Sequence, residues 1–178
     1  MKQILIIGLG LIGGSIAKSL QNINHKYEIN AFDIDNSVIQ NALKEKIIDK
    51  DFDIKENPKD FDLIIISSPP LSTIKIIEQL INSTSINSNT TITEVSSSKV
   101  MLFRELSKKG IDCSNIVLSH PMAGSEKSGI EASSANLFLD KKTIILNPFN
   151  SDEFHVTKVN DFWKTIGSQI YQMSINEH

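Results

Sequence analysis

Cysteine is almost missing from this sequence: Cys113 is the single thiol among 178 residues. No intrachain disulfide can form, so a disulfide-stapled scaffold is excluded and a reducing, cytoplasmic setting is expected. Charge of one sign is scarce as well. Eighteen Lys and Arg against 21 Asp and Glu leave a net charge of −3. That offers no basic field for nucleic acid or an anionic membrane, and neither is expected as a partner. Long apolar runs are absent too. The nearest approach, Ile4–Ala17, is broken by Ser15 and falls short of the about 20 residues a bilayer span requires. Lys2 before it and Ser15-Ile16-Ala17 at its end imitate a secretory leader, but that reading leaves its spaced glycines without a purpose. What is present, 40% hydrophobic and 22% charged residues, suits about one globular domain that buries about 70% of its unfolded surface.

Short apolar runs alternate with helix-period segments, the pattern of a parallel sheet with crossover helices. Strands are expected at Lys2–Ile7, Tyr27–Asp33, Asp62–Ile66, Thr90–Val95, Asn115–Ser119, Thr143–Leu146 and Ser168–Met173. Between them, helical spacing links Ile12, Ile16, Leu20 and Ile23. Further helices are expected over Ser37–Glu45, Thr73–Ile81 and Asp152–Ile166, and around Val100, Phe103 and Leu106, with Gly110 as a C-cap. The expected fold class is α/β: a Rossmann-type, doubly wound, mainly parallel sheet with helices on both faces, spanning residues 1–173. Asn82–Thr91 is rich in Ser, Thr and Asn and reads as a solvated loop. Its triplets Asn82-Ser83-Thr84 and Asn89-Thr90-Thr91 imitate glycosylation sites, which mean nothing in a cytoplasmic protein.

Gly8-Leu9-Gly10-Leu11-Ile12-Gly13 follows a predicted strand and opens a predicted helix, the context in which this spacing marks a dinucleotide site. Gly8 permits the tight turn, Gly10 lets the backbone approach a pyrophosphate, and Gly13 lets the helix pack on the strand. The free N–H groups of Leu11 and Ile12, with the helix dipole, attract the phosphates. Asp33 ends the second strand, where a carboxylate accepts the adenosine ribose hydroxyls and repels a 2′-phosphate, so NAD is expected over NADP. Asp35 competes, and Asp33 itself has a second reading as a helix N-cap; Asn36 and Ser37 already offer capping groups, which favours the ribose role.

Three further segments end strands, at the edge where open α/β sheets bind ligands. Ser67-Ser68-Pro69-Pro70 places a rigid backbone on the nicotinamide side, or simply turns the chain. Ser96-Ser97-Ser98-Lys99 starts a helix, so each of its serines also reads as an N-cap. Ser119-His120-Pro121-Met122-Ala123-Gly124 puts a histidine on rigid extended backbone. There an imidazole can take a hydroxyl proton while the nicotinamide takes a hydride. His25, His155 and His178 lack such surroundings and read as structural.

Gly8 to Ser15, Ser97-Ser98-Lys99, and His120-Pro121-Met122-Ala123-Gly124-Ser125-Glu126-Lys127-Ser128-Gly129 occur in order. Together they resemble the prephenate dehydrogenase family of tyrosine biosynthesis, which includes arogenate and cyclohexadienyl dehydrogenases. The resemblance covers essentially the whole chain. It implies His120 as the catalytic base and Ser97 as the residue that hydrogen-bonds the reacting hydroxyl. Glu94, Ser96 and Ser98 replace the family's Asp, Gly and Val, which leaves the ranking of Ser96, Ser97 and Ser98 open, although the spacing to Lys99 favours Ser97. The implied reaction is NAD-dependent oxidative decarboxylation of prephenate, or of arogenate, with a small-molecule substrate as the partner. β-Hydroxyacid dehydrogenases and imine reductases share the domain type, and a non-catalytic NAD-binding module is the rival from another class. The family continues into a helical domain that forms the dimer and completes the substrate site. Residues 174–178 read as its start, so a homodimer is expected only with that domain, and the isolated chain is expected to bind NAD but turn over poorly.

Overall fold

The computed structural model describes residues 2–23, 27–56, 58, 60–82, 86–124 and 126–178. His25, Ser125 and the Ser83-Thr84 pair of the first triplet lie outside them. Each expected strand and helix is present, with boundaries shifted by a few residues at most. The elements run β1 (Lys2–Ile7), α1 (Leu11–Gln21), β2 (Tyr27–Phe32), α2 (Asn36–Lys44), β3 (Lys50–Asp51), β4 (Leu63–Ile66), α3 (Pro70–Asn82), β5 (Thr91–Glu94), α4 (Lys99–Lys108), β6 (Ile116–Pro121), β7 (Lys142–Leu146), α5 (Glu153–Thr165) and β8 (Gln169–Gln172). Two elements escape the sequence pattern. One is β3, only two residues long, and the other is the 3₁₀ turn Ile130–Ala132. Neither is long enough to show a period. The third helix starts earlier than its apolar spacing, because Pro70 can occupy a first helical position, where no N–H is needed.

The described strands form one sheet in the order β3-β2-β1-β4-β5-β6-β7-β8. Its neighbours are parallel except β6 and β7, which run antiparallel with His120 opposite Ile144. From β1 the chain builds outward to β2 and β3, then returns to add β4, β5 and β6 on the other side. Direction therefore reverses between β1 and β4, and a crevice opens there at the strands' carboxyl ends.

The central strands are apolar on both faces because both are covered. Ile4 and Ile6 join Ile16 and Leu20 of α1, Ile39 of α2, and Val159, Phe162 and Trp163 of α5. Leu5 and Ile7 join Ile74 and Ile77 of α3 and Leu102 and Leu106 of α4. Cys113 lies in this second layer, where burial pushes its thiol up to about 11 and keeps it protonated near neutral pH. Among the described residues, no helix is long and apolar enough to cross a membrane.

Candidate active site

At the β1 carboxyl end the backbone is packed to its limit. Gly8 sits at φ +95°, and a Cβ there would lie 2.9 Å from the Ser67 carbonyl oxygen. A Cβ on Gly13 would lie 1.9 Å from the Gly8 carbonyl oxygen and 2.5 Å from Ser67 Oγ. The Ser67 hydroxyl donates to that same Gly8 carbonyl at 2.6 Å. Strand, turn and helix therefore meet at distances that no side chain permits. Gly10 is the opposite case: its Cβ would meet nothing within 4 Å. As the N-cap of α1 it supplies no side-chain hydrogen bond, and the first turn contains no acid. The opening N–H groups of α1, which an α-helix cannot pair internally, thus start beside the open space at Gly10, with a favourable dipole. Those features fit a dinucleotide pyrophosphate.

Asp33 ties the next turn to this one. Its Oδ2 accepts from Leu9 N–H at 2.7 Å and its Oδ1 from Asp35 N–H at 2.9 Å. Each carboxylate oxygen keeps acceptor capacity for a ribose hydroxyl. The N-cap of α2 is Asp35, whose Oδ1 accepts from Ser37 N–H at 2.9 Å. That corrects the sequence reading, which gave the capping to Asn36 and Ser37, and still leaves Asp33 free of it. Ser67 and Ser68 face inward: Ser68 Oγ lies 2.9 Å from Thr73 Oγ1 at the start of α3. Only backbone and the exposed Pro69 remain to line the crevice here.

The β5 and β6 ends lie beside this corner, with Glu94 in register with Leu118. Three residues on from Glu94 comes Ser97, and two on from Leu118 comes His120. The turn at 95–98 is held by a buried ion pair between Lys99 and Glu94, both with side chains fully shielded from solvent. Lys99 Nζ also donates to the Glu94 carbonyl at 3.2 Å. Burial drives the Lys99 pKa down while its partner carboxylate opposes the shift. The other Glu94 oxygen accepts from Ser96 N–H and Oγ–H, at 3.0 and 2.7 Å. Ser96 is thereby occupied. The hydroxyls of Ser97 and Ser98 have no protein partner among the described residues, and Ser97 is exposed.

His120 follows Ser119, whose Oγ accepts from the buried Trp163 indole N–H at 2.9 Å and lies 2.7 Å from Thr93 Oγ1. This network fixes the strand one residue before the imidazole. His120 is partly buried, and its pKa is lowered by burial first, then by the Lys99 and His178 charges. Its Nδ1 lies 2.7 Å from Nε2 of His178. Sequence reasoning set His178 aside, because no local pattern joins positions 58 apart. His155 behaves as expected, buried with Nδ1 2.7 Å from Thr91 Oγ1.

The sequence reading also missed how α1 holds the segment after His120. A Cβ on Gly14 would lie 3.0 Å from Ile130 and Ser133 side-chain atoms. Ser15 Oγ accepts from Ser134 N–H at 3.0 Å, and Ser19 Oγ donates to the Ala135 carbonyl at 2.7 Å. Met122, just past the end of β6, and Val100 and Met101, in the first turn of α4, are left exposed near His120 and Ser97 in sequence. A cavity of about 480 Å³ lined by Lys2, Tyr27, Asp62, Phe154 and Lys158 lies at the opposite, amino ends of β1, β2 and β4 and includes none of the motif residues.

The family model described as the nucleotide-binding domain of prephenate dehydrogenase matches residues 16–172. Prephenate dehydrogenase of Lactococcus lactis is 36% identical over 78% of this chain and 39% of its own length. The enzyme of that name from Bacillus subtilis is 32% identical over 98% of this chain and 47% of its own. The solved structure of prephenate dehydrogenase from Aquifex aeolicus in complex with hydroxyphenyl propionate and NAD+ superposes with a TM-score of 0.84 at 32% identity. It spans 100% of this chain, which covers 62% of that one. The chain thus spans roughly two-fifths to three-fifths of the relatives it matches.

Proposed function

Because the chain belongs to the family of prephenate dehydrogenase nucleotide-binding domains, we infer that it binds NAD and supplies the proton acceptor for oxidative decarboxylation of prephenate. The observation that carries this reading is the shared rim: an uncapped α1 N-terminus at Gly10, and His120 and Ser97 at the ends of neighbouring strands. A nicotinamide cofactor held there by the α1 N-terminus and Asp33 would supply the acceptor for the hydride of the ring carbon that bears the hydroxyl.

The chain's own residues do the rest. Gly8, Gly10 and Gly13 bring backbone against the pyrophosphate, with Leu11 and Ile12 N–H groups as donors. Asp33 takes the ribose hydroxyls, and the backbone of Ser67, Ser68 and Pro69 borders the nicotinamide. Ser97 orients the reacting hydroxyl, and neutral His120 takes its proton as the carboxylate leaves as CO2. The lowered His120 pKa keeps the imidazole neutral further into acid, so the acidic fall in rate lies below the ordinary value of 6.5. Arogenate is the second substrate reading, since the residues named act on the ring hydroxyl and not on the side chain. Residues 174–178 form one turn closed by Ser174 and Glu177, the sequence signature of a helix start, which supports their assignment to a following helical, dimer-forming unit.

The test joins these 178 residues to the remaining sequence of one of the relatives and follows NADH formation from prephenate. His120→Asn lowers kcat by about 10²–10⁴, the usual loss with a general base, and leaves NAD affinity nearly unchanged. A variant that keeps most of the rate and the acidic limb removes His120 from the mechanism.

A further inference from the structure

His120 and His178 meet ring to ring, with centroids 5.0 Å apart, planes at 61° and Nδ1 of the first 2.7 Å from Nε2 of the second. A bond between two neutral imidazoles requires one N–H and one bare nitrogen. Two arrangements satisfy it. If His178 donates, His120 carries its only proton on Nε2 and has no lone pair left for a substrate. If His120 donates from Nδ1, its Nε2 is bare, and Nε2 has no protein partner among the described residues.

The placement of His178 is built by several contacts. Ser174 N–H and Oγ–H each donate to Glu177 Oε2 at 2.7 Å, and His178 N–H donates to the Ser174 carbonyl at 3.2 Å. Met173 N–H donates to the Ile145 carbonyl at 3.3 Å, and Ile175 packs on the second core layer. The turn is thereby anchored to β7, the strand that pairs with His120.

We propose that His178 is the positioning partner of His120, accepting its Nδ1–H so that Nε2 stays bare and faces the reacting hydroxyl. This deepens the reading of His120 as the base and rests on it. In the step, the substrate O–H bond breaks and its proton joins His120 Nε2. The freed electron pair forms the carbonyl as the hydride leaves for the nicotinamide. His120 becomes an imidazolium with both nitrogens protonated, and Nδ1–H stays on His178, so neither ring changes its bond to the other. Lys99 and His178 are the charged or titratable groups that act on His120.

The test is long-range ¹H–¹⁵N NMR of the imidazole nitrogens in the 178-residue chain at neutral pH. The expected result is a His120 protonated at Nδ1, with a scalar coupling across the hydrogen bond to His178 Nε2. His178→Gln offers a carbonyl acceptor and keeps that tautomer; His178→Phe keeps a ring without an acceptor and moves the His120 proton to Nε2. Amide spectra establish that each variant is folded. In the relative-extended chain, His178→Phe lowers kcat by about 10²–10⁴-fold with KM little changed, the upper end being what a wrong tautomer costs a histidine base elsewhere, and Gln restores most of it. An unmodified His120 protonated at Nε2, or an Nδ1 proton that persists in His178→Phe, overturns the proposal. Should the Phe variant not fold, the cross-bond coupling in the unmodified chain decides alone. The tautomer is read without turnover, so a failed prephenate assay and a failed dyad are separate results.

Discussion

Two corners share the rim of the sheet and are built in opposite ways. The β1–α1 corner is made of backbone: Gly8, Gly13 and the Ser67 main chain touch at distances that exclude side chains, and Gly10 alone stands open. The β5–β6 corner is made of side chains drawn from four parts of the chain. The Glu94–Lys99 pair is sealed beneath it, Trp163 reaches in from α5, and His178 arrives from beyond β8. A backbone corner is specified by residues next to one another in sequence. A side-chain corner depends on the whole sheet, and its polar groups are costly unless each is paired. One corner tolerates no added atom at Gly8 or Gly13, whereas the other tolerates no lost partner.

Removing one partner gives the largest expected effect. Lys99→Met strands the Glu94 carboxylate in a shielded site and should cost about 3–5 kcal/mol in urea unfolding. Pairing it with Glu94→Gln should recover most of that, because the neutral amide can still accept from Ser96. A single-variant cost below about 1 kcal/mol breaks the contrast. Adding an atom comes next: Gly13→Ala forces a Cβ onto the Gly8 carbonyl and should cost about 3 kcal/mol, the upper range for overpacking. Gly10→Ala, in the same turn but in open space, should change stability by less than about 0.5 kcal/mol. Its effect should appear in calorimetry as a roughly tenfold weaker NAD affinity, about 1.4 kcal/mol.

Discrimination between cofactors is of similar size and also belongs to the first corner. NAD should bind much more tightly than NADP, and Asp33→Ser should narrow the gap by about 1–3 kcal/mol of charge repulsion. Equal affinities in the unmodified chain remove Asp33 from the ribose site. The smallest effect is in pH. Burial lowers the His155 pKa, with Lys158 adding to the shift and Asp152 opposing it. The unfolded chain then binds the proton more readily, so the stability is whole above the ordinary value of 6.5 and is lost as pH falls below it. The slope in thermal melts should stay under about 1.4 kcal/mol per pH unit. His155→Gln, which can still pair with Thr91, should flatten it; an unchanged slope assigns it to other groups, His120 first.

The two corners also differ in how much of them could be read before folding. Alternation of Ile, Leu and Val with helical spacing fixed the class and nearly every element, because each of those signals spans only one element. The glycine spacing and Asp33 were legible for the same reason: a turn between a strand and its helix is local, and the demand for φ +95° or a missing Cβ falls on one residue. Spacing to Lys99 favoured Ser97 over Ser96 and Ser98, but only the structure shows that Glu94 occupies the Ser96 hydroxyl. That choice lies in the direction a side chain takes from a strand end, which the pattern of residues does not encode.

By itself the sequence determined the doubly wound order of elements, the glycine corner with its carboxylate, and the strand that carries His120. Only the tertiary structure decided that Glu94 and Lys99 seal each other from water, that Gly14 and Ser15 pin the segment after His120 to α1, and that His178 lies against His120. The physical reason is range. Hydrophobic period and turn strain act between neighbours along the chain, whereas burial of charge and the meeting of two imidazoles 58 residues apart exist only once the sheet has brought its far strands together.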